Sequence, residues 1–364
     1  MPDDAPLHSP LHDEHLRLGG RLVDFAGWQM PVQYTGILEE HRAVRSGCGV
    51  FDISHMGQVF LSGKNAASWL DGMLTGNIPA MNKATAVYTF MLNENGGIID
   101  DLIAYRLGRE SFLLVVNASM VEEDIAWLRR HLEDGVLLED RSRELAAIAI
   151  QGPDAERIAR EMLIKTGCRM PARNALEHFP DAAGTTYLCG TGYTGEAGFE
   201  LVCPADDGPK WFNKALQAGA SPCGLGARDS LRLEMGFPLN GADLSPQRSP
   251  LAAGLGFFVD LEKGPFIGRE VLLREKKDGI REKLTGIEMT GKGPPPRPGY
   301  SLLSGKETVG RFCSAGLSPS LGRGIGMAYL PVALSKIDTE LEIDIRGRNF
   351  AARVAKKPFY RHPR

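Results

Sequence analysis

The 364-residue chain carries 42 Lys and Arg against 45 Asp and Glu, and its formal net charge of -3 gives no bias toward a nucleic-acid partner. Its length exceeds what one hydrophobic core comfortably serves, so two or three domains are expected. No stretch is apolar enough to span a membrane, and the acidic, proline-containing Met1–Ser9 lacks the basic-then-apolar order of a secretory signal, so a cytoplasmic location is expected.

The six cysteines (Cys48, Cys168, Cys189, Cys203, Cys223 and Cys313) show neither C-x-x-C nor zinc-ligand spacing with histidine. They read as free thiols in a reducing compartment, with no metal site. In chain order, Leu11 opens a short helix that stops at Gly19-Gly20, and a strand-like run follows to Tyr34. Ile37 to Val44 is a second helix, and a glycine-punctuated turn follows at Gly47 to Gly49. Then VFDISHMGQVFLSG alternates as strands do, and Asn65 reads as the N-cap of a helix through Trp69 and Leu74.

The next segment is a hairpin from Val87 across Asn95-Gly96-Gly97 to Leu107. Its second strand opens with two aspartates inside an apolar run, Ile98-Ile99-Asp100-Asp101-Leu102-Ile103. Asp is disfavoured in strands because its short side chain competes for backbone hydrogen bonds. Alternation puts Asp100 with Ile98 and Leu102 on one face, and Asp101 with Ile99, Ile103 and Tyr105 on the other. Whichever face is buried therefore carries a carboxylate, and the plainer alternative is a pair solvated at a strand end. Asp100 is expected to brace the turn.

A strand from Phe112 to Val116 leads to Ser119 and Glu122, whose S-x-x-E spacing predicts a capping box and a helix beyond it. Leu145 to Ile150 is a short apolar strand, and Asp154 is placed as the cap of the next helix. The run GTGYTGEAGFELV contains a literal G-x-G-x-x-G at Gly190, Gly192 and Gly195. A dinucleotide fingerprint needs a helix to start there, whereas the alternating strand from Phe199 to Cys203 follows, so the run reads as a glycine-rich hairpin. Glu200 lies inside that strand. Helices follow around Trp211 to Ala218 and from near Gly226, the second carrying Arg228, Leu231 and Met235 on one stripe. An arginine in the first turn gains nothing from the helix dipole; it needs a carboxylate or ligand as partner, or it snorkels to solvent. From about Lys263 a charged helix, Arg269 to Lys277, short strands and a proline-rich turn read as a small all-β barrel or sandwich. The chain ends basic, at Arg353, Lys356, Lys357, Arg361 and Arg364.

Acidic groups and an arginine on apolar elements, with Tyr88, Tyr105 and Tyr193 nearby, suit recognition of a flat heterocycle. A carboxylate can accept two parallel N–H bonds from a 2-amino-pyrimidinone edge, and tyrosines can stack on the ring. No activated nucleophile, Walker loop or H-E-x-x-H appears.

At these residues the chain resembles the aminomethyltransferase (T-protein) family of the glycine cleavage system. DFAGWQMPVQY, FDISHMG, NENGGIIDDLI, GTGYTGEAGFE, GLGARDSLRLE, SPSLGRGIGMAYL and KKPFYR stand in that family's order and spacing, from about Leu11 to Arg361. The resemblance implies an α+β chain of three domains in a cloverleaf around a central funnel. Residues 1–52, 144–170 and 201–258 would form the first, 53–143 and 171–200 the second, and 259–364 the C-terminal β domain. It also implies a one-carbon transfer from the S-aminomethyl-dihydrolipoyl arm of H-protein to tetrahydrofolate, releasing ammonia and forming 5,10-methylenetetrahydrofolate. Carried over by position, Asp101 resembles the catalytic aspartate, and Glu200 and Arg228 the residues that hold the pterin. Met56, Tyr88, Asn117 and Tyr193 match positions lining the folate site, and Tyr360 or Arg361 a C-terminal contact; Tyr105 joins them as the tyrosine on the Asp101 face.

The chain departs from the family's usual residues at Gly190, at Asn240 and Ala242, at Ala252, and at Phe257. These are expected to lie away from Asp101, Glu200 and Arg228 and to bear on the aminomethyl donor. Rival readings on the same fold are a folate-dependent demethylase of a small methylated amine or sulfonium compound, and a non-catalytic folate-binding accessory protein. The reactive cysteine of the latter's K-G-C-Y-x-G-Q-E segment is missing here.

Overall fold

A computed structural model describes residues 5–181 and 183–362; Met1–Asp4 and Arg364, which enter the reading above, lie outside the described residues. Helices and strands are mixed along the whole chain, as expected of an α+β protein. Two compact units are resolved. The described residues up to Leu70, with Ile78–Tyr88 and Leu102–Asp229, form the first; Asp71–Asn77, Thr89–Asp101 and the described residues from Ser230 onward form the second.

The first unit is built on a six-stranded sheet, ordered Leu176–Asp181, Gly184–Cys189, Gly198–Pro204, Leu145–Gln151, Gly49–Asp52 and Ser221–Pro222. Its strand LAAIAIQ is buried at every position because both faces are covered. On one face Ile148, Ile150, Phe199, Leu201 and Cys203 pack with Ile158 and Met162 of the helix Ala155–Leu163 and with Trp211 and Phe212 of the helix Gly208–Gln217. Alternation then sends Glu200 and Val202 to the opposite face. There Cys189 packs with Tyr105, Leu113 and Leu176 in a smaller cluster. The Leu176–Cys189 hairpin, expected from the sequence with the second domain, is hydrogen-bonded into this sheet through the Leu188–Leu201 register.

A five-stranded sheet runs in the order Ala86–Leu92, Ile98–Arg106, Ser111–Val116, Gly57–Ser62 and Leu137–Asp140. In the second unit, six strands from Glu282 to Ala355 close into a barrel filled by Ile287, Leu302, Phe312, Leu330, Ile343 and Val354. The barrel-or-sandwich alternative is thereby decided. Among the described residues no helix is long and apolar enough to cross a membrane.

Two helix starts differ from expectation. Ser119 sits inside a 3₁₀ turn, Ala118–Met120, and the helix Val121–Arg130 begins with no side-chain cap, so the S-x-x-E spacing forms no capping box. Asp154 precedes its helix as placed, yet its carboxylate caps no N–H; it pairs instead with Arg157 at 3.5 Å. A charge one turn into the helix competes successfully with the orphan amides.

Gly190, where the family commonly carries arginine, is held between Ala175 O and Asn174 N at 2.8 Å each. A β-carbon there would stand 1.9 Å from the Ala172 carbonyl oxygen, which is backbone and cannot swing away. Gly190→Ala is therefore expected to destabilise the chain by about 1–3 kcal/mol through overpacking. The measurement is a urea titration, in which the midpoint should fall at constant slope.

Candidate active site

The aspartate strand is fixed at its tip before its carboxylates are placed. Asn93 Oδ1 accepts from the amides of Asn95 and Gly97 at 2.9 and 3.0 Å, closing the turn itself. Gly96 takes the left-handed conformation (φ +75°) that glycine adopts without strain. Ile98 N donates to the carbonyls of both Ser245 and Arg248, and Asn93 Nδ2 to that of Pro246, tying the hairpin to the 245–248 loop. A β-carbon on Gly97 would fall 1.8 Å from Pro246 O, so only glycine permits this approach.

Asp100 is fully buried and Asp101 half-exposed, so the two carboxylates face different surroundings, as alternation requires. The turn is closed by Asn93, and the buried Asp100 carboxylate is bonded by Asn240. Asn240 Nδ2 donates to Asp100 Oδ1 at 2.5 Å and to Ile99 O at 3.0 Å. This overturns an expectation: Asn240 is bonded to the neighbour of Asp101. A long loop side chain reaching 140 residues back along the chain leaves no trace in local sequence. Among the other departures, Ala252 is core beside Leu233 and Leu284, and Phe257 is 95% exposed with its ring against Phe258.

In the first unit a second cluster forms around Glu200. Its strand neighbours are Ala149 and Cys189, small enough to leave the carboxylate room. Glu200 Oε2 accepts from Thr191 Oγ1 at 2.6 Å, and Thr191 Oγ1 lies 2.5 Å from the hydroxyl of the fully buried Tyr105. Burial, with the Glu200 charge nearby, holds the Tyr105 hydroxyl well above its ordinary pKa, so it keeps its proton.

Arg228, in the first turn of the helix Leu225–Met235, lays its guanidinium 5.0 Å from the centre of the Tyr193 ring. Its Nη1 is buried and meets no hydrogen-bond acceptor among the described residues. Burial lowers the guanidinium pKa, and the charge of Glu200 and then Tyr193 oppose it. The snorkelling alternative is excluded for this nitrogen. His55, also in this electrostatic neighbourhood, is 3% exposed, has its Nδ1 unpartnered, and stands edge-on to the half-exposed Phe25 ring at 5.4 Å.

The loop carrying Thr191 and Tyr193 is moulded on two buried side chains that sequence reading did not single out. Gln151 donates to Thr191 O at 3.2 Å and accepts from Thr194 Oγ1 at 2.9 Å. Arg45 Nη1 donates to Thr194 O at 2.8 Å and pairs with Glu196 at 2.7 Å, both side chains largely buried. A β-carbon on Gly192 would overlap Gln151 and one on Gly190 the Ala172 carbonyl, so these two glycines serve close packing within the chain. Thr191, Gln151, Arg45 and His55 carried no local signal; a Gly-rich hairpin with a conspicuous glutamate beyond it points to this region without naming them.

Tyr105, Tyr193, Glu200 and Arg228 are thus brought together by their contacts. Met56, Tyr88 and Asn117 belong to the same unit, each partly exposed. Asp101, Tyr360 and Arg361 belong to the second unit. There the amides of Phe359 and Tyr360 both donate to Glu234 O, and the Glu234 carboxylate accepts from Ser318 and Ser320. Lys357, expected as part of a basic end, runs its stem over Gly236, and burial pushes its pKa down to about 8. Lys356 is exposed. Among the described residues no group of three or more His, Cys, Asp or Glu is placed to hold a metal ion.

Two family models match the chain: the GCVT N-terminal domain over residues 11–263, and the glycine cleavage T-protein C-terminal barrel domain over residues 282–361. The chain belongs to the aminomethyltransferase family of the glycine cleavage system. Curated relatives named aminomethyltransferase include those of Chloroherpeton thalassium, 44% identical over 97% of this chain and 98% of its own length, and of Symbiobacterium thermophilum, 44% identical over 99% of each. The crystal structure of the glycine cleavage system aminomethyltransferase T from Bartonella henselae superposes with a TM-score of 0.91 at 31% identity, covering 98% of both chains. The chain is accordingly an enzyme, a transferase of glycine breakdown and one-carbon metabolism, and its mixed fold and C-terminal barrel match the family's.

Two outcomes follow for these residues. Asn240→Leu removes a hydrogen bond to a buried carboxylate and is expected to cost about 1.5–3 kcal/mol, read as a lower unfolding midpoint; an unchanged midpoint contradicts the bracing role. For His55, burial is the main cause that lowers its pKa from 6.5 to about 4, with the Asp52 charge opposing and Arg228 adding to it. Between those values the unfolded chain binds the proton and the folded chain does not. The contribution is therefore fully present above pH 6.5 and is lost as pH falls toward 4, about 3 kcal/mol in all. His55→Gln should flatten the stability profile across that window in acid titrations followed by circular dichroism.

Proposed function

We propose that the chain transfers the one-carbon unit of an S-aminomethyl-dihydrolipoyl arm, carried by H-protein, to tetrahydrofolate, with release of ammonia and formation of 5,10-methylenetetrahydrofolate. The observation that carries this reading is the buried, unpartnered Nη1 of Arg228 beside the Glu200 carboxylate and the Tyr193 ring. A buried donor without a protein acceptor costs stability that a ligand's acceptor atom would relieve. A 2-amino-4-oxo pterin supplies what the three groups want: two N–H donors for Glu200, a carbonyl oxygen for Arg228, and a flat ring for Tyr193. Met56, Tyr88 and Asn117 would line the same folate site, and Tyr360 or Arg361 would meet it from the C-terminal segment.

Asp101 is proposed as the catalytic carboxylate. A folate amine is a weak nucleophile, and a carboxylate bonded to its N–H raises its electron density. The amine attacks the methylene carbon, Asp101 takes the folate proton and passes it to the departing nitrogen, and the C–N bond breaks to release ammonia. Its negative charge also stabilises iminium character developing on the carbon. The second folate nitrogen then closes on the same carbon; the C–S bond breaks, and the arm leaves as the dihydrolipoyl thiol with the remaining proton. We further infer the three-domain division given by the resemblance, and a reducing, cytoplasmic setting. The latter is supported by six free thiols, of which Cys48, Cys189, Cys203 and Cys223 are buried and held above the ordinary thiol pKa by burial.

The test is ammonia release from aminomethylated H-protein with and without tetrahydrofolate. Asp101→Asn should lose about 100- to 10,000-fold in turnover while folate affinity survives. Glu200→Gln should weaken folate binding first. Full turnover in the former, or an unaltered dissociation constant in the latter, removes that residue from its role.

A further inference from the structure

Three side chains of the first unit make a chain of hydroxyls that ends on a carboxylate, and chemistry fixes its direction. Glu200, as a carboxylate, can only accept. The single hydroxyl proton of Thr191 is therefore committed to Glu200 Oε2, at 2.6 Å. With its proton spent, Thr191 Oγ1 must be the acceptor in its 2.5 Å contact with Tyr105 Oη. Tyr105 is fully buried, with its hydroxyl also within hydrogen-bonding reach of the Cys189 thiol, and it is the donor in the contact with Thr191. With Thr191 donating to Glu200, the order runs from Tyr105 O–H to Thr191 O–H to the Glu200 carboxylate. The Tyr105 ring packs with Cys189, Leu113 and Leu176.

Thr191 is also held from its backbone side. Gln151 Nε2 donates to Thr191 O at 3.2 Å, and the same amide's oxygen accepts from Thr194 Oγ1 at 2.9 Å. The hydroxyl that meets Glu200 is thus clamped from three directions: by a sheet residue, by a fully buried tyrosine, and by a loop that a β-carbon at position 192 would disrupt. A carboxylate on a free side chain could rotate to suit several ligands. This one is held through its Oε2 by the Thr191 hydroxyl.

We propose that Thr191 and Tyr105 are positioning residues that lock Glu200 as an oriented acceptor and so set the enzyme's selection of a ligand edge bearing two N–H donors. The inference rests on the folate reading above and adds to it the source of discrimination at the 2-position of the pterin. A pre-oriented acceptor rejects an edge that lacks the donor, because the buried oxygen is then left unpaired. A mobile carboxylate would turn away and reject it less.

The experiment measures dissociation constants of tetrahydrofolate and of its 2-desamino-2-methyl analogue for the full chain and three variants, with thermal midpoints recorded alongside. The wild type should prefer tetrahydrofolate. Thr191→Val should lose about tenfold or more in tetrahydrofolate affinity, the scale of one hydrogen bond to a charged group, while analogue affinity changes little, so the ratio collapses. Thr191→Ser keeps the hydroxyl and should restore the ratio. Tyr105→Phe keeps the ring and its packing, so it folds even if the valine variant does not, and it should lower the ratio by several-fold. A fall in thermal midpoint with the ratio intact in both Thr191→Val and Tyr105→Phe means a merely structural role and overturns the inference alone. A wild type that binds neither compound overturns the folate reading, and the inference with it.

Discussion

A carboxylate in the middle of a sheet is costly to bury, and the way Glu200 is accommodated governs much of the first unit. Its strand must place Phe199, Leu201 and Cys203 in the helix-covered core, so alternation commits Glu200 to the other face. Ala149 and Cys189 flank it because larger neighbours would close over it. Thr191 must reach back from the glycine-rich loop to hydrogen-bond it, and the loop can do so only where Gly192 lets Gln151 pass close beneath. Arg45 then fixes the far side of that loop. Two glycines of the run that mimics a dinucleotide fingerprint are thereby explained: Gly192 makes space for the Gln151 side chain and Gly190 for the Ala172 backbone.

The second unit also buries charged groups, and satisfies them with ion pairs and hydrogen bonds. Arg232 meets Asp243 at 3.1 Å, Ser314 donates to the same carboxylate oxygen at 2.6 Å, and burial still raises the Asp243 pKa. Glu234 gathers Ser318 and Ser320 on its carboxylate and two C-terminal amides on its carbonyl. Asp100 takes Asn240. Such buried polar links are weak sources of net stability but strong sources of specificity, since each leaves an expensive orphan if the segments misalign. Here they tie the ends of the helix, the hairpin tip and the C-terminal segment to defined positions.

Departures from the family's usual residues acquire distinct physical meanings. Gly190 permits a backbone approach that no side chain would allow. Asn240 supplies a donor to the carboxylate next to Asp101, which makes it a neighbour of the proposed chemistry and not a remote substitution. Ala252 is plain packing, and Phe257 is a bare aromatic on the surface. Family membership is unaffected by any of them, because it rests on matches along nearly the whole chain.

What the sequence determined by itself was everything that depends on local periodicity. The alternating run IIDDLIAYR specified a strand with its aspartates on opposite faces; the absence of a helix after Gly195 excluded a Rossmann turn; an arginine in the first turn of an apolar stripe announced a buried cation needing a partner. Most helix starts were placed to within a residue or two, the helix read from Trp211 beginning earlier at Gly208, and two expected caps proved false, since capping depends on a side chain's other options. Only the tertiary structure decided which polar groups meet. Thr191 with Glu200 and Tyr105, Gln151 under the loop, Arg45 with Glu196, and Asn240 on Asp100 join segments 9 to 151 residues apart. A hydrogen bond has no periodicity: it is set by where two backbones happen to pass, and that is fixed by packing of the whole unit and not by any stretch of sequence.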